Sequence, residues 1–499
     1  MTMSDPSPSM KALHNTVLQV AEADPGRPAL VVDGHAVGYR RLAADAAAFA
    51  VRLDAQRVAP GARVILHLDD KRALLTAMIG SMAHGAIPVP FAGTLEQLAV
   101  VAADCEPSAI VSQAAAAGTT LQLQPYDLPA EGDADISRLA RVPDPAQVAM
   151  LMYTSGTTSG RPRGVIQTYR LLSETAGYIA AVQGIDRPLQ EVATAPIHHA
   201  FGLGRCRVVL GSGGTLVVRN GGFNVALTLI DLARPTVDAL SGVSSVFVPL
   251  IGAEKQFRIG GAKLRWIEVG SLPLSRENAE RLCALCPAAR IVMNYGLTEA
   301  MRSTFFDLRE AASRPGSVGR PAPGVEVKVV NESGETVAPE DGGEIVVRGA
   351  NLAAGYWGNE AEWARRTPDG WFHTGDFGRV DEDGYLYYVG RRDDMINVAG
   401  EKVSPERIEI ALRKVWPDLV FAVAGVPDPA GVRGHVPAVF VEGEATLKVA
   451  AIQRELSGQL RNFELPQLVV AVASLPRTRN GKVIRSALPV LAAPRAGTA

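Results

Sequence analysis

The chain carries no excess of either charge. Fifty basic residues stand against 52 acidic ones, leaving a net charge of −2. A nucleic-acid-binding surface ordinarily shows as a strong basic excess, so nothing in the composition points to such a partner, although a local basic patch stays compatible with it. No stretch approaches the ~18 consecutive apolar residues of a membrane-spanning helix. Residues 1–25 hold acids and prolines where a signal peptide would have an unbroken apolar core. Cytoplasm, with no membrane partner, is the expected compartment. Cysteine is scarce, with 4 in 499 residues, too few for a disulfide framework. Cys283 and Cys286 form a C-x-x-C, but inside a helical pattern without a second ligand pair, so core packing is expected there.

What remains is the composition of an ordinary globular protein, 47% hydrophobic and 20% charged. The length allows about three units of roughly 150 residues, some merged. Over residues 1–150 helical and strand patterns alternate: the alanine-rich "YRRLAADAAAFAVRLDAQ", the strand-like "ARVILHL", then a helix ending at His84-Gly85. The alternation resumes from Val165 to about Asn294 and predicts an α/β fold with largely parallel sheets. From Ser317 short strands between Gly, Asp and Pro turns ("VEVKVV", "GEIVVRG", "GYLYYVG") predict a small β subdomain. Beyond a boundary near Arg392, mixed helices and strands predict a compact α+β C-terminal domain of about a hundred residues. The apolar run Leu468 to Leu475 suits a buried strand.

"MLMYTSGTTSGRPRGV" is the most informative stretch. An apolar strand runs into Thr154, Ser155, Gly156, Thr157, Thr158, Ser159 and Gly160, then Arg161 and Arg163, then a helical segment. Glycines let backbone approach a ligand, hydroxyls donate to phosphate oxygens, free N–H groups nest an anion, and arginines add positive charge. No Gly-Lys-Ser/Thr closes the loop, so it is not a P-loop. A flexible surface turn is the plain alternative.

This stretch resembles the phosphate loop of the adenylate-forming superfamily: acyl- and aryl-CoA synthetases, firefly luciferase and nonribosomal adenylation domains. Further motifs follow in that family's order, from Thr154 to Arg485. "PIHHAFGLG" is similar to the P-x-x-H-x-x-G element, which implies that His199 sits beside the acid and phosphate and Phe201 near the acyl pocket. "NYGLTEA" is similar to the Y-G-x-T-E element. Within Asn294, Tyr295 and Gly296, the resemblance has Tyr295 stack on adenine; it has Thr298 donate to phosphate and Glu299 help to hold Mg²⁺. "VGSLPLS" takes the place of a glycine-rich segment in which Gly270, Ser271 and Leu272 would line the ligand. Gly242, Val243 and Val269 complete the implied acyl pocket.

In "WFHTGDFGRV" the resemblance makes Asp376 the acceptor of both ribose hydroxyls, a role suited to a carboxylate, with Arg391 contacting ribose or α-phosphate. Asp393 falls at the family's hinge, which divides an N-terminal adenylating domain, 1–391, from a mobile C-terminal lid, 393–499. Gly400, Glu401 and Lys402 fall in the loop that opens thiol access. "LPRTRNGKVIR" ends the set, with Lys482 as the catalytic lysine of the first half-reaction.

The implied substrates and cofactors are ATP, Mg²⁺, a small-molecule carboxylic acid that is an apolar acyl or aryl compound, and coenzyme A. A carrier-protein phosphopantetheine (an acyl carrier protein) is the alternative thiol, and monomer or homodimer stays open. Attack of the acid on the α-phosphorus brings two anions together, so Glu299-bound Mg²⁺ and the cations Arg161, Arg163 and Lys482 answer a physical need. The chain departs from the family in the additional Ser159, in Arg163 for a usual lysine, in Tyr169 for a common histidine, and in Val269, Ser271 and Leu272 for small residues. Amino-acid activation is disfavoured because the family's aspartate is absent from "PIHHAFGLG". An NTP hydrolase or kinase, and a non-catalytic nucleotide-binding relative, are the readings from other classes.

Overall fold

The computed structural model describes residues 10–113, 122–129, 134–154, 162–271, 273–339, 341–399, 401–443, 447–477 and 483–492. It divides into two compact units, Met1–Lys328 with Val346–His373 and Gly384–Leu386, and Val329–Ile345 with Thr374–Asp383 and Tyr387–Ala499.

In the first unit, strands Pro28–Val32, Thr215–Val218, Gln190–Ala193, Ala239–Val243, Trp266–Gly270 and Arg290–Tyr295 lie side by side, all parallel. Thr304–Asp307 and Ser317–Pro321 extend this sheet antiparallel beyond Arg290–Tyr295. A second sheet, entirely parallel, has the order Ile87–Pro90, Arg63–His67, Ala109–Ser112, Leu123–Pro125. The parallel strands of the larger sheet are largely buried on both faces, as sheets covered by helices require.

Helix Tyr39–Ala55 forms from the alanine-rich segment and buries Phe49 and Leu53. Helix Lys71–His84 starts where the Asp70 side chain accepts from the Ala73 N–H, and ends at Gly85 with φ 95°. Phe49, Met78 and Leu210 share one large core. Each such side chain contributes about 1.5–3 kcal/mol when removed from water.

One local expectation is corrected. After Arg163 the chain does not enter a helix: Arg163–Thr168 is a strand, antiparallel to Val148–Thr154, with Gly355–Tyr356 on its other edge. The helix starts at Tyr169, capped by the Thr168 side chain. The β-branched pair Val165 and Ile166 is a strand signal that the stronger helical period downstream obscures.

In the second unit, Phe421–Pro427, His435–Glu442 and Leu468–Val472 make a three-stranded sheet. Val423, Val439 and Val441 face helices Pro405–Val415 and Val449–Leu456, while Ala424, Ala438 and Phe440 face the opposite core with Leu475 and Leu488. Leu468–Val472 is only half-buried, against expectation: it is the sheet's edge, and Ala471 reaches solvent. The β texture after Ser317 appears as strands Val325–Val330, Gly343–Gly349, Phe372–Val380 and Leu386–Arg391. Cys283 is half-buried and Cys286 buried, both as free thiols. No helix among the described residues is long and apolar enough to cross a membrane.

Candidate functional site

Ligands of open parallel sheets bind outside the carboxyl ends of the strands. Gly242 and Val243, Val269 and Gly270, and Asn294 and Tyr295 close three adjacent parallel strands, with Gly242 paired to Val269 and Val269 to Met293. Val269, Asn294 and Tyr295 are buried, whereas Ser271 and Gly296 are exposed. Ser271 has φ 75°, a left-handed backbone that glycine enters without strain. Asn294 Nδ2 donates to Glu268 Oε1 at 2.7 Å and to the Val269 carbonyl at 3.4 Å.

The Tyr295–Ala300 stretch is tied to the hairpin that carries the serine- and threonine-rich loop. Gln167 Nε2 donates to the Thr298 carbonyl at 3.0 Å. Tyr356 Oη donates to Glu299 Oε1 at 3.0 Å, and the Ala353 N–H to the Glu299 carbonyl at 2.8 Å. Burial, and after it the Glu299 charge, push the Tyr356 hydroxyl well above its ordinary range, so it stays a donor. Arg163 lies 3.5 Å from Glu362 and over the Tyr356 ring at 5.6 Å. Thr154 ends the preceding strand, paired with Arg163. Ser155, Gly156, Thr157, Thr158, Ser159, Gly160 and Arg161, together with Leu272, Gly400 and Lys482, lie outside the described residues.

His199 stands at the N-cap position of helix Ala200–Gly211, without a side-chain capping bond, and its ring stands 4.4 Å from that of His198. Burial, then the neighbouring His199 and Lys71, hold His198 down to about 3, so its ring is neutral. Behind them is a buried ionic network. Arg205 bonds to Glu191 and, at 2.5 Å, to Glu268; Arg302 meets Glu268 at 3.1 Å. Burial alone would raise the Glu268 carboxyl, but Arg302 and Arg205 outweigh it and hold it below its ordinary range. Ion pairs this deep are tolerated only when fully hydrogen-bonded; Gln183, at 2.6 Å, and Asn294 complete the shell of Glu268. Sequence reasoning missed Glu268, Arg302, Arg205 and Tyr356. A Gly-Tyr pair before a short helix, and a charge inside an apolar strand, were the only signals available.

In the second unit Asp376 is 2% exposed and accepts from Arg391 Nη1 at 2.8 Å, so the expected ribose acceptor and the expected ribose or α-phosphate contact are brought together. The Asp376 N–H donates to Thr374 Oγ1, itself a donor to the Ile345 carbonyl, which holds this part of the strand Phe372–Val380 in place. Asp393 lies in the single turn Arg392–Asp394. Glu401 and Lys402 lie in the hairpin Ile396–Val398/Glu401–Val403. Arg485, which closes the last motif, bonds to Glu409 at 2.9 Å and Glu406 at 2.8 Å and approaches Asp394 to 3.5 Å.

No group of three or more His, Cys, Asp and Glu side chains among the described residues is placed to hold a metal. One carboxylate, Glu299, fits the way Mg²⁺ is commonly bound beside a nucleotide, through a single acidic residue plus phosphate and water oxygens.

The family model for AMP-binding enzymes matches residues 17–357, and that for the AMP-binding enzyme C-terminal domain matches 420–482. A feruloyl-CoA synthase of Amycolatopsis sp. is 31% identical over 479 residues, 93% of this chain and 96% of that protein. A long-chain-fatty-acid–CoA ligase of Escherichia coli O157:H7 is 30% identical over 349 residues, 69% of this chain and 62% of that one. Among solved structures, ATP-bound MatB from Rhodopseudomonas palustris superposes with a TM-score of 0.80 at 27% identity, covering 96% of this chain and 98% of its own. The o-succinylbenzoate CoA synthetase of Bacillus subtilis, in complex with its acyl-adenylate intermediate, shares the fold at a TM-score of 0.83 and 23% identity, covering 97% and 99%. The chain therefore belongs to the AMP-binding enzyme family, as an AMP-forming acid–thiol ligase.

Proposed function

We propose that this ligase converts an aryl-substituted carboxylic acid into its coenzyme A thioester through an acyl-AMP. The observation that carries the aryl reading is the Phe201 ring beside Gly270, where a Cβ would come within 2.5 Å of it. That contact sets an aromatic wall at the carboxyl ends of the parallel strands, suited to a flat ring. Similarity to feruloyl-CoA synthase along nearly the whole length supports the same choice.

In the first half-reaction a carboxylate oxygen of the acid forms a bond to the α-phosphorus of ATP, and the α–β bridging bond breaks to release pyrophosphate. Mg²⁺ held through Glu299 would neutralise phosphate charge. Thr154 to Gly160, Arg163 and Thr298 would bind the phosphates, Lys482 would stabilise charge in the transition state, and His199 would sit beside the joining oxygens. Asp376 and Arg391 would hold the ribose and Tyr295 the adenine, with Gly270, Ser271 and Leu272 along the ligand. In the second half-reaction the thiolate of coenzyme A attacks the acyl carbon and AMP leaves with the bonding pair. Residues 393–499 would turn about Asp393 between the two, bringing Gly400, Glu401 and Lys402 to the thiol path.

The test is ATP–pyrophosphate exchange with ferulic-type, long-chain fatty and amino acids, followed by chromatography of the coenzyme A products. Aryl-dependent exchange with an aryl-CoA product supports the reading. Exchange driven best by fatty acids overturns the aryl assignment, and phosphate release without exchange overturns adenylation.

A further inference from the structure

Arg302 follows the Tyr-Gly-Leu-Thr-Glu-Ala stretch closely, yet its side chain turns back into the protein and is 3% exposed. Its Nη1 donates to the Ala200 carbonyl at 3.1 Å, its Nη2 to the Phe201 carbonyl at 2.9 Å, and its Nε to Glu268 Oε1 at 3.1 Å. The guanidinium carbon also stands 4.6 Å from the centre of the Phe201 ring. The ring is thus held by the cation and, through its own edge atoms, by Gly270, where any Cβ would come within 2.5 Å.

Two backbone features make room for this arrangement. A Cβ at Gly204 would come within 2.8–3.0 Å of the guanidinium, so the helix is notched opposite Arg302. Arg302 itself has φ 48°, a left-handed backbone that an L-residue adopts only at a cost. The buried fork of hydrogen bonds offsets that cost. Glu268 Oε1 accepts from Asn294 Nδ2 as well, beside Tyr295 at the end of its strand. One carboxylate therefore anchors both the segment that carries Phe201 and the strand end that carries Tyr295.

We infer that Arg302 is a specificity-determining positioning residue, which fixes Phe201 against Gly270 and thereby sets the width of the acyl pocket. This rests on the reading of Phe201 as a pocket wall. A planar guanidinium reaches two carbonyls and a carboxylate at once, and a lysine ammonium cannot reproduce that fork. The substrate need not touch Arg302 for its shape to be read there.

The experiment compares the wild type, Arg302→Lys and Phe201→Leu by kcat/KM for an aryl acid and a long-chain fatty acid, with KM for ATP measured alongside. Phe201→Leu leaves every hydrogen bond of Arg302 in place and guards against a folding artefact in the other variant. The expected result is that both variants raise the fatty-to-aryl ratio by about tenfold, the discrimination that a methylene-sized change in a pocket produces, with KM for ATP unchanged. The ratio is read against the wild type whichever acid the wild type prefers, so a wild-type preference for fatty acids would refute the aryl reading alone. An unchanged ratio in both variants, a shift confined to Phe201→Leu, or an Arg302→Lys loss shared by both acids and ATP would overturn the role of Arg302.

Discussion

Tyr356 holds Glu299 through a 3.0 Å hydrogen bond while its ring faces Arg163, so a single side chain touches both the proposed metal carboxylate and a cation of the phosphate-loop hairpin. Removing the hydroxyl leaves the carboxylate free to turn. A hydrogen bond to a charged group contributes about 1.5–3 kcal/mol. Tyr356→Phe should therefore raise the Mg²⁺ concentration needed for half-maximal pyrophosphate exchange by roughly tenfold or more. A magnesium titration at fixed ATP checks this, and an unshifted midpoint would refute the coupling.

Lys482→Ala should lower the adenylation rate by on the order of 10²–10³, the usual cost of deleting a transition-state charge partner. Thioester formation from acyl-AMP supplied ready-made should survive. Equal losses in both half-reactions would remove Lys482 from its assigned step.

Asp393→Pro should leave adenylation near the wild-type rate and damage thioester formation. Proline disfavours helical backbone in the residue before it, here Arg392 in the turn Arg392–Asp394. Single-turnover measurements of each half-reaction decide it, and parallel losses would place the hinge elsewhere.

His14 gives the fold a pH dependence. It is 0% exposed, its Nε2 lies 2.7 Å from the Arg141 carbonyl, and burial holds its pKa down from 6.5 to about 4. Below pH 6.5 the unfolded chain takes up a proton that the folded chain refuses until about 4. Stability therefore falls through that window, by about 1.4 kcal/mol per pH unit, and gains no further contribution above it. His14→Phe should flatten the fall in chemical-denaturation midpoint between pH 6.5 and 4. His198, held down to about 3, leaves part of the slope in place. An identical slope in the variant would exclude His14 as its source.

The fold was readable wherever one period dominated. The helices Tyr39–Ala55 and Lys71–His84 and the strand Arg63–His67 follow from local pattern and capping alone. Arg163–Thr168 was misread because six residues between a glycine-rich loop and a strong helix carry too little signal to outvote the helix. The run from Leu468 reads as a buried strand because hydrophobicity reports affinity for a core and says nothing of how many neighbours a strand has. At the site, Glu299, Asp376 and Arg391 stand out by motif. Arg302 and Glu268 do not, because their meaning lies in a pairing across 34 residues that no local window contains.

Arg485 is one cation among Asp394, Glu406 and Glu409, and its bond to Glu409 spans 76 residues. Those acids leave the ribosome long before their counter-ion does. Until Arg485 emerges, Arg413 offsets one of these three acids and the cluster stays net negative and hydrated, which opposes burial of helix Pro405–Val415 and delays closure of the core around Leu412. Arg485 thus ties its motif to the integrity of the smaller unit: a protein cut short before that motif would hold the unit open, and would present it to proteases before it could present it to a substrate.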